Sequence, residues 1–193
     1  MEFMTTGGLV TECRLCPELV ALRKQVVPLE IVNPLNWSDP TLPIIMFVAR
    51  NPGQTEDKVG RPPVGRAGQV QRKIVEPILP HARVVFNNVV KCWTPKDREP
   101  SEVELSNCRP WINQEIEDMR PNIVVLLGLT AQKYKFANKE DRGAMRWDGR
   151  TLWTATFHPS YVSRGNKLAE DEMRGTIWKA YFAWVEGCSG LKQ

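Results

Sequence analysis

Two polar side chains, Asn51 and His158, follow apolar segments of the chain, and each is followed directly by a proline. Proline restricts the backbone around it, so both side chains leave their segment at a defined angle. An amide can orient a water molecule, and an imidazole can donate a hydrogen bond to a leaving group. Both also have structural explanations, since Asn-Pro-Gly is a common turn and a lone histidine is commonly structural. The other histidine, His81, lies between a predicted helix and a predicted strand.

The cysteines form a second pattern. Cys13 and Cys16 make a C-x2-C pair, and Cys92 and Cys108 follow with C-x15-C spacing, while Cys188 stands alone. Five cysteines are an odd number for a disulfide framework. Four of them suit a zinc site or an iron–sulfur cluster, and the spacing does not separate the two. Scattered buried thiols are the alternative.

Length and composition set the frame for these motifs. The 193 residues, with 26 basic and 22 acidic side chains and a net charge of +4, predict one domain that tolerates a polyanionic partner. We find no membrane-spanning run and no secretory signal, so we expect no membrane partner, a cytoplasmic location and a monomer. We expect residues 1–10 to be a flexible or added segment.

Apolar runs rich in β-branched residues predict four buried strands, and helical patterns lie between them. The predicted strands are 44–49, 84–90, 123–127 and 152–157, and the predicted helices are 66–79, 101–119, 129–137 and about 169–186. Ser101 and Glu104 have the spacing of a capping box. This alternation predicts an α/β fold with a mostly parallel sheet covered on both faces. The polar motifs RNPGQTED, NNVVKC and HPSY follow strands, at the edge where such sheets bind ligands.

These motifs, in this order, resemble a known family. CRLC, ARNPGQTEDKVGRPPVGRAG, NNVVKCWTPKDREP, RPNIVVLLGLTA and HPSY are similar to the family 4 uracil-DNA glycosylases, the iron–sulfur branch of their superfamily. The resemblance covers roughly residues 10–186. It implies one glycosylase-like domain over 1–193, with a three-layer α/β/α fold around a four-stranded parallel sheet. It also implies a structural 4Fe–4S cluster on Cys13, Cys16, Cys92 and Cys108, with Cys188 a plain thiol.

The implied activity is that of a monofunctional DNA glycosylase, which flips a pyrimidine out of DNA and hydrolyses its N-glycosidic bond. His158 would donate to the departing base, Asn51 would position water, and Glu56 is a candidate helper that could equally be a solvated carboxylate. Asn88 would pair with the pyrimidine edge, with a strand-end cap as its alternative. The expected base contacts are Arg50, Gly53, Gln54, Pro63 and Asn88. The expected DNA contacts are Gly65, Arg66, Ser160, Tyr161, Ser163 and Arg164.

Two segments depart from the family 4 pattern. Relatives read G-E-(A/G)-P-G where this chain reads ARNPG over 49–53, and NPG is similar to the mismatch-specific and single-strand-selective relatives. Relatives place a phenylalanine where this chain has Pro63, which removes a stacking platform worth about 1–3 kcal/mol. Together with Arg50, this favours a bulkier modified pyrimidine, such as a hypermodified phage base, over uracil. Repair and antiviral defence both remain open as purposes.

Three other classes compete with this interpretation. A catalytically weak or inactive DNA-binding module would explain the missing phenylalanine, although Asn51 and His158 are both retained. A redox iron–sulfur enzyme is disfavoured because four thiolates leave no open iron. A zinc ribbon is disfavoured because it usually brings two close C-x2-C pairs.

Overall fold

The computed structural model describes residues 11–187. Its strands form one six-stranded sheet in the order β1-β3-β2-β4-β6-β5. The strands are β1 (Glu30–Ile31), β2 (Ile44–Ala49), β3 (Arg83–Asn88), β4 (Ile123–Leu127), β5 (Met145–Trp147) and β6 (Leu152–Thr156). The central four are parallel, and the two short edge strands pair antiparallel to them.

Helices cover both faces of this sheet. The α-helices are α1 (Pro17–Leu22), α2 (Gln54–Val59), α3 (Arg66–Val75), α4 (Glu102–Met119), α5 (Leu129–Gln132), α6 (Pro159–Val162) and α7 (Lys167–Val185). Short 3₁₀ helices span Pro34–Ser38, Glu76–His81, Pro95–Asp97 and Lys139–Asp141. Within the described range, no helix is long and apolar enough to cross a membrane.

Alternation along the strands explains the layers. Phe47 and Val125 point toward α3 and α7, where they pack with Ile74 and Ile177. Their neighbours along the strands point toward α4, where Ile112 and Ile116 are buried. Successive side chains of a strand face opposite sides, so a strand buried on both faces reads as a continuous apolar run. The predicted three-layer α/β/α fold is confirmed.

The predicted number of strands needs correction. All four predicted strands are present and parallel, but the sheet has six strands in the described residues rather than four. The additional strands, β1 and β5, are two and three residues long, too short to produce an apolar pattern. The second predicted strand ends at Asn88 rather than at residue 90, although Val89 and Val90 stay buried and still donate to Ala49 O and Arg50 O.

Helix boundaries follow local chemistry. Ser101 is the N-cap of α4, and both hydrogen bonds of the predicted capping box with Glu104 are present. The helix predicted over 129–137 stops at Gln132, and the one predicted over 66–79 continues past Val75 as a 3₁₀ helix. The expectations for residues 1–10 and for Cys188 lie outside the described residues.

A buried polar network joins α4 to the end of β3. Lys91 Nζ donates to Glu115 Oε2 and to Asn87 Oδ1, and both charged side chains are 1% exposed. Asn87 Nδ2 donates to Glu115 Oε2 at 3.0 Å, and Asn87 Oδ1 also accepts the backbone N–H of Asn88 at 2.8 Å. The network therefore holds the last residue of β3 in place.

We predict that Glu115→Ala lowers the free energy of unfolding by about 3–5 kcal/mol, because it leaves the Lys91 ammonium buried without a counterion. Urea unfolding followed by circular dichroism measures the change. The double variant Lys91→Met/Glu115→Leu, which removes both charges, is expected to be clearly more stable than Glu115→Ala. A single variant within 1 kcal/mol of the wild type would contradict the prediction.

Candidate active site

A cleft of about 830 Å³ opens at the carboxyl ends of the parallel strands. Parallel register produces it, because Ala49 of β2 lies opposite Asn88 of β3, and Leu127 of β4 lies opposite Thr156 of β6. The segments that follow these strands therefore meet at one edge of the sheet. Among the predicted site residues, Arg50, Asn51, Gly53, Gln54, Glu56, Pro63, Gly65, Arg66, Asn88, His158, Ser160, Tyr161 and Arg164 line the cleft.

His158 is the N-cap of α6 and is neutral at pH 7. The backbone N–H of Ser160 donates to Nδ1 at 3.2 Å, and Ser160 Oγ lies 3.0 Å from the same nitrogen. Because Nδ1 accepts a hydrogen bond, Nε2 carries the proton and is the donor of the neutral ring. Burial lowers the pKa of His158 to about 4, and the positive charges of Arg50 and Arg164 act in the same direction.

Gly128, directly after β4, permits the close approach of His158. Its φ is +84°, and a Cβ at this position would lie 2.9 Å from His158 Cβ. Any other residue would meet both backbone strain and a clash with the histidine. Glycine at this strand end therefore helps to set the position of the imidazole.

The Asn51 side chain is held by contacts on both ends of its amide. Nδ2 donates to Pro52 O at 2.8 Å and to Thr94 Oγ1 at 3.2 Å. The Thr94 hydroxyl donates to Arg98 O at 2.6 Å, so its oxygen is free to accept from Asn51. Oδ1 accepts Arg50 Nε at 2.5 Å, which leaves one lone pair for a further donor such as water.

Arg50 is half-enclosed rather than directed freely into the cleft. Besides its contact with Asn51, Nη1 donates to Glu99 Oε1, and Nη2 donates to Asp97 O at 3.1 Å. These contacts use three of the five N–H donors of the guanidinium, leaving two for a substrate.

Glu56 is buried, with 8% exposure, and it organises the loop that leads into α3. Its Oε1 accepts the backbone N–H groups of Val64 at 2.8 Å and Gly65 at 2.6 Å. The N–H of Gly65 is therefore satisfied inside the protein and is not available to a ligand. Asp57, its acidic neighbour, accepts the backbone N–H of Lys24 at 3.0 Å and so anchors the N-terminal segment.

Pro63 lines the cleft on a rigid support. A Cβ at Gly68 of α3 would lie 2.5 Å from the carbonyl carbon of Pro63, so the loop rests directly on the helix. Arg72, one turn further along, donates from Nε to Pro63 O at 2.8 Å and from Nη2 to Pro62 O at 3.2 Å. The side chain at 63 thus occupies a fixed place in the wall.

Asn88 provides the free amide of the site. It is 4% exposed and lines the cleft, and its side chain has no hydrogen-bond partner in the part of the chain that the structure describes. Gly53 is the N-cap of α2, and Gln54 begins that helix with an exposed side chain. These three residues border the same cleft.

Five of the six expected DNA-contacting residues line the cleft, and Ser163 does not. Tyr161 is 44% exposed, and its ring lies 5.5 Å from the Phe157 ring and 5.0 Å from the Arg164 guanidinium. Arg66 donates to Ser163 O at 2.9 Å and so ties the start of α3 to the end of α6. The Ser163 hydroxyl donates to Ser160 O at 3.0 Å, which stabilises the turn behind His158.

A model of the uracil DNA glycosylase superfamily matches residues 36–181, which include the whole cleft. This chain belongs to that superfamily.

Relatives within the superfamily confirm the resemblance to family 4. The chain is 36% identical over 182 residues to a type-4 uracil-DNA glycosylase of Saccharolobus solfataricus, covering 86% of this chain and 80% of that protein. It is 38% identical over 133 residues to a type-4 uracil-DNA glycosylase of Thermotoga maritima, covering 64% and 69%. A match to the type-4 enzyme of Sulfurisphaera tokodaii, 43% identical over 95 residues, covers 48% of this chain and 43% of that protein.

In this glycosylase-superfamily chain the cysteines of the described residues do not line the cleft. Cys92 and Cys108 are buried in one apolar cluster, and Cys16 packs against it. Burial raises the pKa of the Cys108 thiol to about 12 and also raises that of Cys92. Within residues 11–187, no three Cys, His, Asp or Glu side chains are grouped as ligands of a metal ion.

Two N–H donors point at the cysteine sulfurs. Arg23 Nη1 donates to Cys92 Sγ at 2.9 Å and Nη2 donates to Cys13 O at 2.5 Å, while Asn107 Nδ2 lies 3.5 Å from Cys16 Sγ. Hydrogen bonds to sulfur are a feature of iron–sulfur sites. The donor set of four thiols, with N–H groups directed at two of the sulfurs, fits such a cluster.

Sequence reasoning missed Glu99, Thr94 and Gly128. Thr94 is fully buried and Glu99 is exposed, and neither stands next to a predicted strand end. Gly128 directly follows β4, and a glycine at a strand end was the available signal for it.

We predict that His158→Gln makes the protein less sensitive to acid. An unfolded histidine has a pKa near 6.5 and the folded one about 4, so between these values the unfolded chain binds a proton that the folded chain does not. The wild type therefore loses stability as pH falls from 6.5 toward 4, and glutamine removes that part of the loss. Urea unfolding at pH 7.5, 5.5 and 4.5 measures it, with His81→Gln, an exposed histidine, as the control. Parallel curves for wild type and His158→Gln would contradict the prediction.

Proposed function

We propose that the chain is a monofunctional DNA glycosylase that hydrolyses the N-glycosidic bond of a flipped-out pyrimidine and leaves an abasic site. The observation that carries the proposal is the placement of His158 in the cleft, where the backbone N–H of Ser160 donates to its Nδ1 and leaves Nε2 as the donor. The His158 ring is neutral, and it shares the cleft with the held amide of Asn51 and the free amide of Asn88. Family membership supports the reaction class.

His158 stabilises the leaving group. When the bond between C1′ and the base breaks, its electron pair stays on the base, and negative charge develops on a base carbonyl. The Nε2–H donates a hydrogen bond to that oxygen, an interaction worth about 3 kcal/mol when the donor is preorganised. A neutral donor suffices, so the lowered pKa of His158 is compatible with this role.

Asn51 orients the attacking water. The sugar left behind is an oxocarbenium ion, and water adds to C1′ and then releases a proton to solvent. The remaining lone pair of Oδ1 accepts a hydrogen bond from that water. An amide is too weak a base to remove the proton, so its contribution is positioning, which suits a reaction in which bond cleavage precedes attack.

Asn88 recognises the base. Its amide carries both a donor and an acceptor, and a uracil-like edge offers the O4 acceptor and the N3–H donor. A cytosine-type edge offers a donor in place of O4, so a reversed amide would be needed there.

For the substrate we favour a pyrimidine with a bulky substituent over plain uracil. Support comes from Pro63, which stands in the cleft wall where the family pattern has a phenylalanine and which its helix support holds in place. The two unused N–H donors of Arg50 could bind hydroxyl groups of such a substituent. The same observations allow a uracil enzyme with weakened stacking.

DNA is the proposed partner, bound by the residues around the mouth of the cleft. Tyr161 is the proposed wedge, because it is exposed and aromatic and stands directly after the His158 turn. Arg66, Arg164 and the N–H groups that open α3 are the proposed phosphate contacts.

A base-release assay tests the function. We expect the wild type to release a base from one or more of four duplexes, which contain uracil, hypoxanthine, 5-hydroxymethyluracil or glucosylated hydroxymethylcytosine. His158→Ala is expected to slow the release by about 100-fold, because it removes the preorganised donor. Asn51→Ala is expected to slow it through loss of the positioned water.

The panel also separates the substrates. Release of uracil alone would contradict the preference for a bulky base, and no release from any duplex would favour the DNA-binding module. Glu117→Gln, an exposed carboxylate variant on the outer part of α4, is the control and is expected to match the wild type.

We also propose that Cys13, Cys16, Cys92 and Cys108 hold a 4Fe–4S cluster. When bound, the cluster would serve as a structural crosslink between the N-terminal segment, the loop after β3 and helix α4. Arg23 would then balance the negative charge of the thiolate ligands through its contact with Cys92.

Absorbance near 400 nm and iron content of anaerobically purified protein test the cofactor. We predict that Cys108→Ser removes most of the absorbance and lowers the melting temperature, because a buried ligand is lost. Cys188→Ser is the matched control and is expected to keep both. Stoichiometric zinc without visible absorbance would overturn the cluster assignment.

A further inference from the structure

Arg50 stands at the centre of a chain of contacts that the proposed chemistry leaves unexplained. Its Nε donates to Asn51 Oδ1 at 2.5 Å, while its Nη1 pairs with Glu99 Oε1. The guanidinium side chain is 26% exposed and that of Glu99 is 66% exposed. Arg50 thus connects two groups: the Asn51 amide, which is proposed to orient water, and the Glu99 carboxylate at the rim of the cleft.

Glu99 connects segments that follow three different strands. Its Oε1 accepts Arg50, which follows β2, and its Oε2 accepts Thr130 Oγ1 of α5 at 2.5 Å, which follows β4. Glu99 itself lies between β3 and α4. Both carboxylate oxygens therefore accept hydrogen bonds, although the side chain is exposed and is not part of the hydrophobic core.

The charges of Arg50 and Glu99 affect the proposed reaction. A glycosylase transition state places positive charge on the sugar, and an uncompensated guanidinium in the same cleft would oppose it. Asn51 would still be oriented without Arg50, because Thr94 and Pro52 hold its Nδ2. The effect expected from losing the carboxylate is consequently electrostatic, because the Arg50 charge is uncompensated while Asn51 keeps its orientation.

We propose that Glu99 is a positioning residue of this site, which holds Arg50 on Asn51 and cancels its charge beside the reacting sugar. The proposal rests on the proposed glycosylase function. Arg50 then serves mainly in contacts within the protein, and only its outward N–H groups remain for the substrate.

Single-turnover base release and DNA binding, measured on the same duplex, test the proposal. Glu99→Gln keeps the size of the side chain and removes its charge. We expect it to slow the chemical step by about tenfold while DNA affinity stays equal or increases, because one negative charge is lost near the phosphates. A merely structural role would weaken both quantities together.

A second variant tests the route of the effect. Arg50→Gln added to Glu99→Gln removes the uncompensated charge, so the double variant is expected to be faster than Glu99→Gln alone. A double variant that is no faster would overturn the proposal. Glu117 has an exposed carboxylate that pairs with Arg150 at 2.8 Å, and neither residue lines the cleft. Glu117→Gln is therefore the matched control for loss of one surface ion pair.

A structural readout keeps the two proposals separable. In a crystal structure of Glu99→Ala, we expect the Arg50 guanidinium to leave Asn51 Oδ1 and turn into the cleft. An arginine that stays on Asn51 would overturn the inference whether or not the protein releases a base. A wild type that is inactive on every duplex would instead count against the proposed function.

Discussion

Parallel register is the constraint on which the rest of this structure depends. Because β2, β3, β4 and β6 run in the same direction and end at nearly the same level, the chain leaves the sheet four times along one edge. Asn51, Asn88, Gly128 and His158 come from far apart in the sequence and share a cleft for this reason alone. The short antiparallel strands form the two edges of the sheet, and none of their residues lines the cleft.

The site that results is built from neutral groups held by the main chain. A backbone N–H fixes the tautomer of His158, and a backbone carbonyl and a buried threonine fix the amide of Asn51. Such groups need no reorganisation when charge develops on a substrate, which is the basis of electrostatic preorganisation. The charged residues around these groups are each paired: Glu56 accepts hydrogen bonds from two backbone N–H groups, and Arg50 forms a salt bridge with Glu99.

Apolar periodicity predicted the layers and the four parallel strands, and strand-end location indicated the polar motifs that border the cleft, because both are local properties. His158 and Asn51 were accessible in this way. The hydrogen-bond partners of each side chain could not be predicted in this way, because they come from distant parts of the sequence. Arg50 and Glu99, for example, have a sequence separation of 49. Glu56 illustrates the limit: its sequence setting suggests a solvated or water-binding carboxylate, while the fold buries it against Val64 and Gly65.

The support beneath Pro63 has a consequence for how this wall of the cleft could diversify. The hydrogen bonds of Glu56 and Arg72 go to main-chain atoms of this loop. The atoms of Pro63 nearest to Gly68 are its carbonyl group and its Cβ, which every residue other than glycine also has. Exchanging that residue would change the wall of the cleft while leaving the frame unaltered. A single substitution at position 63 could therefore change which substrates the cleft accepts, at little cost in folding stability.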